Sequence, residues 1–177
     1  MTPVHQERRR RLMAAMAEAG CDVVLVYGNA WQCDYLRYVT DFPPVEGEAL
    51  ALFFSDGETR LFVESAADAA RARVETPYAD IVQCDDLTET VCTEIGRLGN
   101  RSVASAPATL MPYGIVRSDA AKYVEDGTAL IDRLLLVKSP IEIEAVRRAA
   151  VIADRGYEVF MEACRVGRAE YELIADI

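Results

Sequence analysis

Two kinds of hydrophobic pattern alternate along the chain, and each predicts a different element of secondary structure. Residues 22–27 form an almost continuous run of β-branched and aliphatic side chains, which predicts a strand buried on both faces. Residues 49–54 and 59–64 are two further apolar runs, and the turn between them contains Asp56 and Gly57. An Asp-Gly turn between apolar runs is typical of a β-hairpin, so we predict that these two strands are antiparallel.

Helical patterns separate the strands. Residues 2–20 predict a first helix, with Thr2 as its N-cap, a proline in its first turn and Gly20 just past its end. Residues 39–44 contain two prolines and predict a loop. The remaining elements are predicted as helices at residues 31–38, 65–74, 86–98 and 112–123 and as strands at residues 80–84, 101–106 and 128–131. This alternation predicts an α/β fold, in which helices cover both faces of a mixed sheet that contains one antiparallel hairpin.

The longest helical pattern covers residues 139–165. Ser139 is predicted as the N-cap, Pro140 occupies the first helical position, and Glu142 is spaced to complete a capping box. Apolar residues recur three and four positions apart, which places them on one face of the helix: Ile143, Val146, Ala150, Ala153, Tyr157, Phe160 and Cys164. We therefore predict a long amphipathic helix whose apolar face is covered by other parts of the protein.

A second helical pattern opens at Arg168 and is unfinished at Ile177. Residues 132–138 are predicted to lead out of the sheet into the long helix, so we place a domain boundary after Lys138. The sequence then predicts an N-terminal domain at residues 1–138 and the first helices of a truncated second domain at residues 139–177.

Composition and charge exclude several classes of function. The chain has 177 residues, enough for one domain and part of another, and its formal net charge of −10 argues against nucleic acids and anionic membranes as partners. The arginine run at residues 8–11 is the exception, and we interpret it as a solvated helix face. No apolar run approaches the ~20 residues of a membrane span, and no signal-peptide pattern is present, so a cytoplasmic protein is expected.

The chain lacks most of the usual catalytic side-chain combinations. Its five cysteines are scattered without a Cys-x-x-Cys pair, which fits a reducing compartment. His5 is the sole histidine and lies at the N-terminus, so Ser-His-Asp and Cys-His arrangements are nearly excluded, as are histidine-rich metal sites. We therefore predict no catalytic residue, no metal ligand and no cofactor in this chain.

Aromatic and acidic residues near the end of the first strand are the best candidates for a functional surface. The aromatic residues are Trp31, Tyr35, Tyr38 and Phe42. Core packing and a partner-facing surface both fit this pattern. Glu46 and Glu48 follow, and a second acidic pair occurs at Asp85 and Asp86. Such pairs serve as cation ligands or acid–base groups in some proteins but more often lie in helix caps and solvated turns, and Asp86 is placed as an N-cap.

Two stretches resemble the creatinase/prolidase family. Residues 35–42, Tyr-Leu-Arg-Tyr-Val-Thr-Asp-Phe, resemble the Tyr-Leu-Thr-Gly-Phe type of segment in the N-terminal domains of that family, with Asp41 where glycine is usual. Residues 137–143, Val-Lys-Ser-Pro-Ile-Glu-Ile, resemble the Lys-Ser-x-x-Glu-Ile entry into its "pita-bread" metallopeptidase domain, with Leu135 where an arginine commonly precedes the lysine. The order of elements between the two stretches also fits, so the resemblance spans nearly the whole chain.

The resemblance implies a catalytic domain that lies beyond Ile177. Enzymes of this family hydrolyse Xaa-Pro peptide bonds or the amidine of creatine, with two divalent metal ions (Mn, Co or Zn) held by two Asp, one His and two Glu. No residue of this chain corresponds to those ligands, so the chain alone is expected to be inactive.

The resemblance further implies that this N-terminal domain assists homodimer assembly and restricts access of small peptides or creatine-like substrates to the catalytic site of a metal-dependent hydrolase. The candidate gating or dimer-facing residues are Trp31, Tyr35, Tyr38, Phe42, Glu46 and Glu48. Two alternatives remain open: a metal-free module of the same fold that binds a protein or peptide, and a self-contained small enzyme.

Overall fold

The computed structural model describes residues 2–177, apart from the side chains of residues 121 and 123. Two units are distinguished by the contacts within them, one ending at Val137 and the other spanning Lys138–Ile177. Each unit is described separately below.

Among the described residues of the first unit, six strands form one mixed sheet. They are β1 (Val23–Asn29), β2 (Glu48–Phe54), β3 (Thr59–Val63), β4 (Asp80–Gln83), β5 (Val103–Ala106) and β6 (Val124–Asp126). Their order across the sheet is β4-β3-β2-β1-β5-β6. β1 and β3 are each antiparallel to β2, whereas the pairs β1–β5, β3–β4 and β5–β6 are parallel. The predicted hairpin is confirmed, and its Gly57 has a positive φ of 91°, a conformation that favours glycine.

Within residues 2–137 six α-helices flank this sheet, and residues 138–177 contain two more. Those of the first unit are α1 (Pro3–Ala19), α2 (Asp34–Thr40), α3 (Ala66–Glu75), α4 (Leu87–Arg97), α5 (Tyr113–Arg117) and α6 (Thr128–Leu136). Short 3-10 helices lie at Ala108–Leu110 and Asp119–Tyr123. The second unit contains α7 (Pro140–Ala163) and α8 (Glu170–Asp176).

Helices cover both faces of the sheet, as predicted. Residues of α1, α2, α3 and α6 pack on one face, the α1 face, and residues of α4 and α5 pack on the other, the α4 face. β1 contributes to both: Val24 and Val26 belong to the core of the α1 face, and Leu25 to the core of the α4 face. Because alternate side chains of β1 point to opposite faces, this one strand contributes to both cores. Each aliphatic side chain that it buries stabilises the fold by about 1.5–3 kcal/mol.

The last strand was predicted at the wrong place. Residues 128–131 begin α6, and β6 lies earlier, at Val124–Asp126. Leu130 and Ile131 are buried, and Leu134 packs one helical turn further on against the same core. That spacing is helical, and a four-residue apolar run is too short to distinguish a strand from a helix. The predicted lead-out at residues 132–138 is likewise mostly helix.

Several other boundaries differ from the prediction, and α2 begins at Asp34 instead of residue 31. α2 extends to Thr40, so the predicted loop at 39–44 begins two residues later. The single helix predicted at 112–123 is broken at Ser118, whose backbone is extended and whose hydroxyl donates to the Ile115 carbonyl oxygen over 2.7 Å. A serine hydroxyl that bonds a nearby carbonyl competes with the helical pattern and favours such an end.

The arginine run on α1 is not simply a solvated face. The Arg9 guanidinium donates to Thr59 Oγ1 over 2.9 Å and to the Gly57 carbonyl oxygen, which ties α1 to the β2–β3 turn. Arg11 donates to the Val137 carbonyl oxygen over 2.7 Å, at the end of α6. Arg10 is exposed and pairs with a glutamate one turn away. The interpretation of residues 8–11 as solvated is therefore wrong for Arg9 and Arg11, which are held by other elements.

Helix α7 has the predicted start. The Ser139 side chain accepts the Glu142 backbone N–H over 3.3 Å, and the Glu142 carboxylate accepts the Ser139 N–H over 2.8 Å, which completes the capping box. Along the helix, Val146 is 62% exposed and Tyr157 is 65% exposed. Within the second unit, the C-terminal half of α7 and Ile177 line an open apolar groove. No helix among residues 2–177 is long and apolar enough to cross a membrane.

Candidate functional site

One edge of the sheet brings together three of the six predicted surface residues: Trp31, Glu46 and Glu48. β1 ends and β2 begins there, with Asn29 opposite Glu48. Trp31 follows Asn29 by two residues, and its side chain is 94% exposed. The Asn29 side-chain oxygen accepts the backbone N–H groups of Trp31 over 2.9 Å and of Gln32 over 2.8 Å. The backbone is therefore held in place while the indole ring stays in solvent.

The Glu48 carboxylate is oriented by a buried tyrosine at the same edge. Tyr27 donates its hydroxyl proton to Glu48 Oε1 over 2.8 Å, and the Asn29 amide donates to the Tyr27 oxygen over 3.2 Å. Burial raises the pKa of Tyr27, and the neighbouring Glu48 adds to the shift, so the tyrosine stays a donor at neutral pH. Glu48 thus presents its negative charge in a defined orientation.

Glu46 is also held by its neighbours. Its carboxylate accepts the Ser65 hydroxyl proton over 2.6 Å, and its backbone N–H donates to Asp68 Oδ2 over 2.9 Å. Ser65 is the N-cap of α3, and Asp68 lies in the first turn of that helix. Both glutamates are exposed at this edge, and we call Trp31, Glu46 and Glu48 together the Trp31 edge.

Tyr38 and Phe42 lie in the core and do not contribute to a surface. Tyr38 is 2% exposed and Phe42 is fully buried, both within the core of the α1 face. The reason is the helical position of Tyr38 beside Leu36 and Val39, whose side chains are buried in the same cluster. For these two residues the structure supports core packing, the other interpretation of the aromatic pattern.

Tyr35 links two helices. It is partly exposed, and its hydroxyl donates to Asp132 Oδ1 over 2.5 Å, which connects α2 to α6. The hydrogen bond to this carboxylate is the largest cause that raises the pKa of Tyr35 to about 12, because the carboxylate favours the protonated phenol. Tyr35 therefore serves the packing of the domain.

Two of the acidic residues singled out in the sequence have structural roles. Asp41 ends α2 with a positive φ of 58°, a conformation that aspartate tolerates better than most residues. This is the position at which glycine is usual in the resembling segment. Asp86 accepts the Glu89 N–H over 2.8 Å as the N-cap of α4, so the prediction of a helix cap is confirmed.

Metal-ligating side chains do not cluster among the described residues. Among residues 2–177, no three histidine, cysteine or carboxylate side chains are grouped so as to hold a metal ion. The five cysteines are free thiols, and burial raises the pKa of Cys21 and of Cys84, which disfavours their thiolates. The Trp31 edge offers instead an exposed aromatic ring and two oriented carboxylates, groups suited to binding a positively charged partner.

Sequence reasoning missed Tyr27, Asn29 and Asp68, which orient this edge. For Asn29 a pattern was available, because an asparagine after a strand commonly accepts backbone N–H groups two residues on. The role of Asp68 depends on a loop 22 and 23 residues away in sequence, so no local pattern indicates it.

Comparisons with known proteins support the resemblance. The Creatinase/Prolidase N-terminal domain family matches residues 8–134. The Xaa-Pro aminopeptidase of Escherichia coli (strain K12) is 30% identical over 137 residues, which make up 76% of this chain and 26% of that protein. The chain therefore spans about a quarter of the length of this curated relative.

Two solved structures share the fold. The X-Pro aminopeptidase from Thermotoga maritima MSB8 superposes with a TM-score of 0.72 at 18% identity, over 94% of this chain and 46% of that one. The Xaa-Pro dipeptidase from Bacillus anthracis gives a TM-score of 0.65 at 22% identity, over 97% of this chain and 47% of that one. This chain thus corresponds to less than half of either structure.

Proposed function

The chain belongs to the creatinase/prolidase N-terminal domain family, and we propose from this membership that it is the non-catalytic N-terminal domain of a cytoplasmic, metal-dependent hydrolase that resembles Xaa-Pro aminopeptidase, prolidase or creatinase. The observation that carries the proposal is the family match over residues 8–134. In this proposal, residues 1–138 form the N-terminal domain and residues 139–177 are the first helices of the catalytic domain.

The catalysis belongs to the remainder of the complete protein. There, two divalent metal ions (Mn, Co or Zn) would activate a water and polarise the scissile bond. The exposed apolar face of α7 supports this division, because a helix with one apolar face is stable in a protein when another element covers that face.

The proposed role of this domain is to assist homodimer assembly and to restrict substrate entry through the Trp31 edge. An exposed aromatic ring on a fixed backbone loses little conformational freedom on binding, which is typical of residues that dominate interfaces. The carboxylates of Glu46 and Glu48 complement a cationic group, such as the α-ammonium group of a peptide or the guanidinium group of creatine.

The test replaces Trp31 by alanine in the complete enzyme. We expect KM for a small Xaa-Pro peptide to rise about tenfold or the dimer to weaken by a similar factor, a typical loss for an interface aromatic residue. Tyr113→Ala is the matched control, since Tyr113 is 71% exposed on α5, which covers the α4 face. Unchanged kinetics and unchanged dimerisation in the Trp31 variant, measured by steady-state assay and sedimentation, would exclude this role.

A second candidate function is a metal-free module that binds a protein or peptide. The net charge of −10 favours it, because such a surface attracts a basic partner. Metal analysis of the complete protein separates the two proposals. About two bound divalent ions per subunit, with two Asp, one His and two Glu in the sequence after residue 177, support the hydrolase; their absence supports the binding module.

A further inference from the structure

The loop between α2 and β2, residues 41–47, is held by one buried carboxylate. Asp68 is 2% exposed. Its Oδ2 accepts the backbone N–H of Val45 over 3.0 Å and that of Glu46 over 2.9 Å, and its Oδ1 lies 3.2 Å from the Val45 nitrogen. Two consecutive backbone N–H groups that point at one anion form a compact binding geometry. The loop therefore folds around a side chain that belongs to α3.

Arg71 completes the arrangement one helical turn later. Its guanidinium donates to Asp68 Oδ1 over 2.9 Å and to the Pro43 carbonyl oxygen over 3.4 Å. It also lies over the buried ring of Phe42, 5.1 Å from the ring centroid. Arg71 thus neutralises the buried charge of Asp68 and holds the other end of the same loop, so we call the two side chains the Asp68–Arg71 clamp.

The clamp acts on the Trp31 edge through Glu46. The Glu46 backbone N–H donates to Asp68, and the Glu46 carboxylate accepts the Ser65 hydroxyl proton. Both the backbone and the side chain of Glu46 are therefore held by residues at the start of α3. Two residues later the loop joins β2 at Glu48, which lies opposite Asn29. Releasing the loop would therefore disorder the Glu46 carboxylate without removing any group that faces solvent at the edge.

We propose that Asp68 is a positioning residue, which, together with Arg71, fixes the α2–β2 loop so that Glu46 meets the positively charged end of the substrate. This inference rests on the proposed gating function. A fixed carboxylate complements a cation, and in the proposed function that cation is the α-ammonium group of a small peptide. Asp68 itself does not touch the substrate in this proposal.

The experiment compares Asp68→Asn with Asp56→Asn. Asp56 is an exposed aspartate that accepts the Glu58 N–H over 2.9 Å in the β2–β3 turn, so the control makes the same chemical change away from the clamp. In the 177-residue chain, we expect the amides of Val45 and Glu46 to exchange hydrogen about tenfold faster in the Asp68 variant than in wild type and the control. Unchanged exchange at both amides overturns the inference.

Kinetics in the complete enzyme provide the second measurement. We expect Asp68→Asn to raise KM about fivefold to tenfold while kcat stays within about twofold. The substitution weakens binding of the substrate and of the transition state equally and leaves the catalytic groups unchanged. Arg71→Lys, which keeps the charge but loses the planar fork, should show a smaller rise in KM. It also serves as the test variant if the Asp68 variant does not fold.

The outcomes separate this inference from the proposed function. If the loop amides exchange faster and KM is unchanged, while Trp31→Ala raises KM, the inference is wrong and the gating function stands. If neither Trp31→Ala nor release of the loop changes KM or dimerisation, both are wrong. A rise in KM for both Trp31→Ala and Asp68→Asn, with kcat retained, supports both.

Discussion

Strand β1 and helix α7 are both rich in hydrophobic side chains, yet the protein uses them in opposite ways. In β1, Val24 is fully buried and belongs to the core of the α1 face. In α7, Val146 belongs to the apolar stripe and is 62% exposed. A hydrophobic pattern therefore predicts which face of an element needs cover, and the packing of other elements decides whether that face is covered.

Alanine substitutions at these two valines test the comparison most strongly. Val24→Ala is expected to lower the free energy of unfolding by about 2–4 kcal/mol, because two buried methyl groups are lost and a cavity remains. Val146→Ala is expected to be neutral or to stabilise by a few tenths of a kcal/mol (~0.3), since alanine is the better helix former at an exposed position. Urea unfolding of the 177-residue chain measures both. Similar losses at the two positions would contradict the comparison.

Low pH is expected to destabilise the first unit, because that unit contains a buried histidine. His5 is fully buried and stacked on Tyr78, with ring centroids 4.4 Å apart. Burial, aided by Arg9 and Arg8, lowers the pKa of His5 from 6.5 to about 4. Between those two values the unfolded chain binds the proton more readily than the folded chain does. The contribution of neutral His5 to the free energy of unfolding is therefore fully present above pH 6.5 and is lost as the pH falls towards 4.

The size of this loss is measurable with one variant. A shift of this size corresponds to a contribution of up to about 3 kcal/mol to the pH dependence of unfolding. His5→Phe keeps an aromatic ring against Tyr78 and cannot take up a proton. The difference in urea midpoint between pH 7 and pH 4.5 is expected to be smaller in this variant than in wild type. Equal pH dependence in the two proteins would mean that His5 does not titrate as described.

The smallest expected effect concerns the start of α7. Ser139→Ala removes the side-chain oxygen that accepts the Glu142 N–H, which costs about 1 kcal/mol of local helix stability. We expect faster amide exchange in the first turn of α7 and an unchanged unfolding midpoint of the first unit. Asp86→Ala, the equivalent change at the N-cap of the packed helix α4, is expected to shift that midpoint. A shift of the midpoint by both substitutions would show that α7 unfolds together with the sheet.

Much of the fold was predictable because its determinants are local. The Thr2 cap and the Gly20 end of α1, the capping box of α7 and the Asp-Gly hairpin each depend on residues within a few positions of one another. The error at residues 128–131 shows the limit of this reasoning. The sequence around Leu130 and Ile131 fits either a strand or a helix. It is helical because the helix packs these side chains against the core of the α1 face.

The candidate surface was less predictable than the fold. The aromatic pattern identified Trp31, which is exposed, and Phe42, which is buried, but gave no means of separating them. Burial depends on which elements pack on α2 and on the loop that follows it. Arg71, whose guanidinium lies over Phe42, comes from a different helix. Sequence alone therefore indicated the region of the candidate site but did not separate its surface residues from the core residues beside them.

By itself the sequence determined most of the elements, the hairpin and the helix caps, because these follow from composition and from spacings of a few residues. The tertiary structure decided the strand order, the burial of Tyr38 and Phe42, and the attachment of Arg9 to the β2–β3 turn and of the α2–β2 loop to Asp68. Those contacts join residues distant in sequence, and their free energy depends on burial, which no local spacing specifies.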